Sequence, residues 1–280
     1  MIKKVLTRAL SGAVFLAIVI GAIFAGQYVY SAVMLFVAVM CMFEFYRALR
    51  QNDAPVKLVP GIIVGALSYC AIALACLNPQ YFILMLMAFP LLFLLFLYQL
   101  WQRDERPFES IAYTVLGVVY IAFPLAFTHL LAKPSFIPGH TEYMPWVMLG
   151  VMSLQWTSDT FAYLTGISIG RHPLFARHSP KKSWEGFCGG MAFSILAGYL
   201  IGTYFDTPFS VADWMVMGGM VPVTGTLGDL TESMFKRSMG LKDTGKIMPG
   251  HGGLLDRFDS LLMSTPFLLG YLLIKYLLFT

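Results

Sequence analysis

Charge is what this sequence has least of. Of its 280 residues, 12% are Asp, Glu, Lys or Arg, against 58% hydrophobic. Soluble domains carry about 25% charged residues, so this chain has too little polar surface to face water all round. That excludes an ordinary soluble enzyme and a disordered chain. The net charge of +4 gives no basic patch large enough for nucleic acid, and no nucleic-acid partner is expected. Cysteine is scarce as well. The four present, Cys41, Cys70, Cys76 and Cys188, form no C-x-x-C pair, which leaves neither a disulfide framework nor a cysteine metal site. Repeats and low-complexity tracts are missing, and no polar stretch is long enough for a separate soluble domain.

What is abundant is apolar sequence in runs of about 20 residues, the length that crosses a bilayer as a helix. Such runs cover 9–25, 28–45, 58–77, 81–100, 111–131, 146–165, 187–205, 211–230 and 260–279. The expected fold is therefore an all-α polytopic membrane protein with about nine transmembrane helices. Lys3, Lys4 and Arg8 precede the first run, but no A-x-A site follows it, so a cleaved signal peptide is not expected. With the N-terminus in the cytoplasm, nine crossings put every basic residue except Lys133 and Lys275 on the cytoplasmic side, as the positive-inside rule requires. The C-terminus then lies on the opposite side. Residues 1–135 read as a transmembrane scaffold. Residues 136–280 read as a catalytic transmembrane region with two cytoplasmic polar loops, the two forming one continuous membrane domain.

Acidic residues near a membrane core are expensive and call for a reason. Asp159 lies about two turns before the inner end of the sixth run. Asp229 ends the eighth, with Glu232 and Ser233 at i+3 and i+4. Asp256 and Asp259, three apart, open the ninth and can share a helix face. Hard oxygen ligands on adjoining helices suit Mg²⁺.

Between these acids runs a basic, glycine-rich segment with Lys236, Arg237, Lys242, Asp243, Gly245, Lys246, Gly250, His251, Gly252 and Gly253. Its cations and open backbone N–H groups suit phosphates. Carboxylates for metal beside cations for phosphate are the parts of phosphoryl or nucleotidyl transfer. A plain anchoring loop would need the positive charges alone. Residues 240–246 imitate a P-loop, but Ile247 stands where Ser or Thr must bind Mg²⁺, and no strand precedes them. A second polar segment holds Ser179, Lys181, Lys182, Ser183, Trp184 and Glu185. It reads either as an interfacial anchor or as a grip on an anionic headgroup or a triphosphate.

These residues match a family pattern. The stretch 233–259 resembles the signature of the phosphatidate cytidylyltransferases, also called CDP-diacylglycerol synthases: S-x-hydrophobic-K-R-x4-K-D-x-G-x2-hydrophobic-P-x-H-G-G-hydrophobic-x-D-R-hydrophobic-D. Ser233, Lys236, Arg237, Lys242, Asp243, Gly245, Pro249, His251, Gly252, Gly253, Asp256, Arg257 and Asp259 fill every fixed position. The runs 159–166 and 179–186 also look like family motifs, whereas the N-terminal half is similar only in size and hydrophobicity.

The resemblance implies that phosphatidate and CTP give CDP-diacylglycerol and pyrophosphate with Mg²⁺. It implies a homodimer in the inner (plasma) membrane of a bacterium, with its active site facing the cytoplasm. It marks Asp229 and Asp256 as metal ligands, with room for a second cation such as K⁺. Lys236, Arg237, Lys242, Asp243, His251, Arg257 and Asp259 then stand as catalytic residues. Asp159, Ser179, Lys181, Lys182, Ser183, Glu185, Lys246, Gly252 and Gly253 stand as substrate-binding ones. Two other activities fit parts of the pattern. A CTP-dependent lipid kinase would use the same substrate types. An ion-coupled transporter would use intramembrane acids, but near the midplane and in paired halves, neither of which is seen.

Overall fold

The long apolar runs carry few helix breakers, and they fold as helices. The computed structural model describes residues 2–175, 179–245, 247 and 252–279, the side chains of 2–9, 79 and 180 excepted. In order, the helices are α1 (Ile2–Phe24), α2 (Gln27–Arg50), α3 (Leu58–Leu77), α4 (Leu84–Leu100), α5 (Pro107–Gly117), α6 (Phe123–Ala132), α7 (Pro145–Ile169), α8 (Trp184–Tyr204), α9 (Val211–Ser238) and α10 (Leu255–Leu278). A π-helical turn, Val118–Ala122, joins α5 to α6 without a break. It sits just ahead of Pro124, whose ring nitrogen has no hydrogen to give the turn before it. Among the described residues, the strands are an antiparallel pair, β1 (Pro173–Phe175) and β2 (Ser179–Ser183), with Pro173 opposite Ser183.

The expectation of about nine membrane crossings does not hold. Among the described residues, five helices are long and apolar enough to span: Gln27–Arg50, Leu58–Leu77, Pro107–Ala132, Trp184–Tyr204 and Leu255–Leu278. The other four runs fail for two reasons. Among the residues with described side chains, the apolar stretch of α1, Leu10–Phe24, and all of α4, Leu84–Leu100, fall below 18 residues; α4 begins at Leu84, after the 3-10 turn Pro79–Tyr81. Helices α7 and α9 have the length, with 25 and 28 residues. Their apolar character is diluted by Gln155, Thr157, Ser158, Asp159 and Thr160 in one, and by Asp213, Thr224, Thr226 and several glycines in the other. Side sorting of the basic residues by nine crossings loses its basis with that number.

The chain divides into two compact units. One comprises Met1–His129 and Ser238–Phe258, the other Leu130–Arg237 and Asp259–Thr280. In the first, Tyr30, Met34, Tyr46, Leu49, Tyr69 and Ile72 are fully buried. Their polar tips are satisfied inside: Tyr46 donates to the Thr114 carbonyl (2.7 Å), and Tyr30 to Thr128 Oγ1 (2.8 Å). In the second, α8 turns a stripe of small residues inward, Gly186, Gly190, Ser194 and Gly198. A Cβ on Gly186 would lie 2.6 Å from the Ala162 carbonyl oxygen, and one on Gly190 2.7 Å from that of Ser158. The stripe therefore sets how closely α7 and α8 approach, as small-x-x-x-small patterns do between membrane helices. Outward, Leu86, Phe89, Phe93 and Leu97 of α4 and Leu196, Tyr199 and Leu200 of α8 are exposed. Apolar surface of this extent suits lipid rather than water.

Candidate metal and phosphate site

Helix α9 ends with three polar side chains in successive turns, Asp229, Glu232 and Lys236. Glycine at 228 allows the neighbouring helix to come close: a Cβ there would lie 2.6 Å from the Asp259 carbonyl oxygen and 3.0 Å from Met263 Cβ. Ser260 Oγ donates to the Gly225 carbonyl at 3.1 Å, and Thr224 Oγ1 to Ser264 Oγ at 2.8 Å. This close crossing of α9 and α10 brings three carboxylates together. One oxygen from each of Asp229, Glu232 and Asp259 lies within 4.8 Å of the others. Glu232 and Asp259 are buried and Asp229 is half-buried.

Two ammonium groups share this cluster. Lys182, on β2, pairs with Asp229, and Lys236 pairs with Glu232 one turn along α9. Asp259 Oδ1 accepts the Ser260 N–H at 2.6 Å. Among the described residues, three carboxyl groups and two ammonium groups meet here in a largely buried place. The carboxyl ligand atoms are hard oxygens at a spread a single divalent cation can gather. The group could hold such an ion.

Other candidate residues lie around the two units as follows. Asp159 is exposed on α7 and accepts from Gln155 Nε2 at 3.2 Å. Ser179, Lys181, Lys182 and Ser183 lie on β2, with Lys181 exposed. Ser183 caps α8 by accepting the Gly186 N–H at 3.1 Å. Glu185 clasps the turn before β1: it accepts the N–H groups of Arg171 (3.0 Å) and His172 (3.3 Å) and pairs with the His172 ring (2.6 Å). Arg237, Lys242, Asp243 and Arg257 are exposed. Lys246 and His251 fall outside the described residues.

Asp256 stands in the first turn of α10, in the unit that holds the glycine-rich segment. Its Oδ2 accepts three hydrogen bonds, from Gly253 N–H (2.7 Å), Thr244 N–H (3.2 Å) and Thr244 Oγ1 (3.1 Å). Gly252 has φ +91°, and a Cβ on it would lie 2.7 Å from that same oxygen. The pattern binds both ends of the loop to one carboxylate. Glu44 of α2 lies in this unit too and accepts the Leu255 N–H at 2.9 Å. Glu232 and Glu44 are absent from the site residues proposed from sequence. The spacing three residues after Asp229 pointed to the first. A lone acid in the apolar run 28–45 is the signal for the second.

Comparison with other proteins bears on what this arrangement does. A sequence model of the Cytidylyltransferase family matches residues 6–275. A phosphatidate cytidylyltransferase of Staphylococcus aureus (strain COL) is 30% identical over 245 residues, which cover 86% of this chain and 90% of that protein. One from Staphylococcus haemolyticus (strain JCSC1435) is 33% identical over 251 residues, covering 88% and 91%. The chain belongs to the phosphatidate cytidylyltransferase family. As a member of the phosphatidate cytidylyltransferases it is an enzyme, a nucleotidyltransferase of lipid biosynthesis with membrane-spanning helices. The family match runs through both units, so the carboxylate cluster and the loop around Asp256 lie inside the matched region.

Proposed function

We propose that the chain transfers the cytidylyl group of CTP to phosphatidate, giving CDP-diacylglycerol and pyrophosphate. The carrying observation is the cluster of Asp229, Glu232 and Asp259 beside Lys182 and Lys236, in a member of this family. An oxygen of the lipid phosphate forms a bond to the α-phosphorus of CTP. The bond from that phosphorus to the bridging oxygen of the β-phosphate breaks, and pyrophosphate leaves with the electron pair. The attacking group is already an anion, so no protein nucleophile is required. The obstacle is repulsion between two anions, and the protein's task is electrostatic.

Asp229, Glu232 and Asp259 would hold Mg²⁺, and Asp256 enters the same proposal on the strength of the signature. When bound, the ion supplies charge withdrawal at phosphate oxygens. Lys182 and Lys236 are at hand to exchange a carboxylate for a phosphate oxygen. Arg237, Lys242, Arg257 and Lys181 are exposed cations that suit the triphosphate and the lipid headgroup. Glu185 and Ser183 shape the β1–β2 segment that carries Lys182. We place this chemistry on the cytoplasmic side of a bacterial membrane, where CTP is available, in a homodimer.

The test is to incubate purified protein with CTP labelled on the α-phosphorus, phosphatidate and Mg²⁺ and to resolve the lipid product. Label in a CDP-lipid with release of pyrophosphate is expected. Release of CDP with a newly phosphorylated lipid would replace this reading by a CTP-dependent lipid kinase.

A further inference from the structure

Glu44 is the one charged side chain that α2 buries, at 2% exposure. Its carboxylate lies against the glycine-rich segment and the start of α10. Oε2 accepts the Leu255 N–H at 2.9 Å. The Gly253 backbone presses against the same carboxylate, and a Cβ there would collide with Oε2 and stand 2.6 Å from the Thr244 hydroxyl. Oε1 is buried and has no hydrogen-bond partner among the described residues. Thr244 and Gly253 are the two residues that hold Asp256 Oδ2. The buried Glu44 carboxylate thus holds Leu255 and packs against Gly253, and the half-buried Asp256 carboxylate is held by Thr244 and Gly253.

A carboxylate buried this way would be a liability to a plain scaffold, because an apolar side chain packs there without desolvating a charge. What it provides is a fixed acceptor for a backbone that must stay open and glycine-rich. We propose that Glu44 is a positioning residue for the transfer reaction: from the N-terminal half it holds Thr244, Gly253 and Leu255 in the arrangement that orients Asp256. This rests on the reading above, in which that loop and Asp256 serve phosphate and metal chemistry. Groups that orient a ligand from behind typically change activity or metal affinity by about 10- to 100-fold when removed.

The experiment compares full-length wild type with Glu44→Gln and Glu44→Ala, purified in detergent. Three quantities are measured: kcat and KM for CTP, the Mg²⁺ concentration for half-maximal turnover, and amide hydrogen exchange of 243–255 without substrates. The expected result is a loss of kcat of at least about tenfold in Glu44→Ala and a smaller loss in Glu44→Gln. KM for CTP should move less than about threefold, the Mg²⁺ requirement should rise, and exchange should accelerate within 243–255 but not in α7 or α8. Wild-type kcat in a folded Glu44→Ala protein overturns the proposal. So does a loss of activity with unchanged exchange in the loop. If Glu44→Ala does not fold, the isosteric Glu44→Gln decides by the same criteria. A wild type that makes no CDP-lipid removes the functional reading instead, and the exchange measurement still decides whether Glu44 holds the loop.

Discussion

Helices α9 and α10 bury acids at both ends of their pairing, and the two ends are built differently. At one end Asp213 is fully buried. Around it stand Lys275 Nζ (2.5 Å), Tyr271 Oη (2.7 Å), Tyr276 Oη (2.7 Å), Ser210 Oγ (2.7 Å) and Ser210 N–H (2.9 Å), all donating to its carboxylate. Ser210 in turn accepts the Asp213 N–H at 3.2 Å, which makes a capping box at the start of α9. At the other end three acids share two lysines. The first arrangement satisfies one charge completely and has nothing left to offer a ligand. Among the described residues, the second gathers more carboxyl groups than ammonium groups. Burial alone does not mark an acid as functional; the balance of donors around it does.

The largest expected effect tests the charge-rich end. Asp259→Asn or Asp229→Asn should lower CDP-lipid formation by about a thousandfold, ~4 kcal/mol of barrier. The upward shift of the thermal midpoint on adding Mg²⁺, which follows from binding to the folded protein alone, should vanish with it. Near-normal turnover in either variant would reduce the cluster to an ion-pair network like that at Asp213.

The opposite end should answer in stability. Asp213→Ala removes the carboxylate that Lys275, Tyr271 and Tyr276 share, and removing one partner of a buried pair costs about 3 kcal/mol. Thermal unfolding in detergent should show that loss, while the Mg²⁺ concentration for half-maximal turnover stays put. A shift in the Mg²⁺ requirement larger than the change in stability would erase the contrast between the ends.

The contrast also explains what could be read before the fold was known. Asp229 and Asp259 stand out because a charge at the edge of an apolar run needs a reason, and Glu232 follows from helical spacing. The same rule applied to 28–45 would have drawn out Glu44, but short loops and apolar composition made that half look like scaffold. Partners across the fold, such as Lys182 on Asp229 or Leu255 on Glu44, leave no trace in local spacing. The overcount of spans has a related cause. Helices α7 and α9 are apolar enough to invite a membrane reading, yet they carry the threonines, glycines and acids that the site and its close packing use.

A smaller effect tests the geometry that gathers the acids. Gly228→Ala would put a methyl group 2.6 Å from the Asp259 carbonyl oxygen, and backbone cannot yield as a side-chain tip does. Overpacking of this kind costs ~2 kcal/mol. It should separate Asp229 from Asp259 and lower turnover about tenfold. Unchanged turnover in a folded Gly228→Ala protein would show that the carboxylates need not meet.

The smallest effect concerns an acid outside the helices. Asp104 follows α4 and accepts from Lys57 Nζ (2.9 Å) and Gln99 Nε2 (2.5 Å). Lys57 first, and Gln99 second, hold its carboxyl below the ordinary carboxylate range. Like Asp213 it has ample donors for its charge, but water reaches it, with 23% of the side chain exposed. If the donor balance sets the role and burial sets the magnitude, Asp104→Asn should cost only about 0.5 kcal/mol at neutral pH. A depressed folded-state pKa stabilises above the unfolded value and stops doing so as pH falls through the folded one. Wild type and Asp104→Asn should therefore differ in thermal midpoint at pH 7 and converge below about pH 3.8, the ordinary value for this group. A gap that persists in acid would assign the effect to packing around Gln99 rather than to charge. A loss as large as that of Asp213→Ala would make burial irrelevant, and with it half of the distinction drawn between the two ends of α9 and α10.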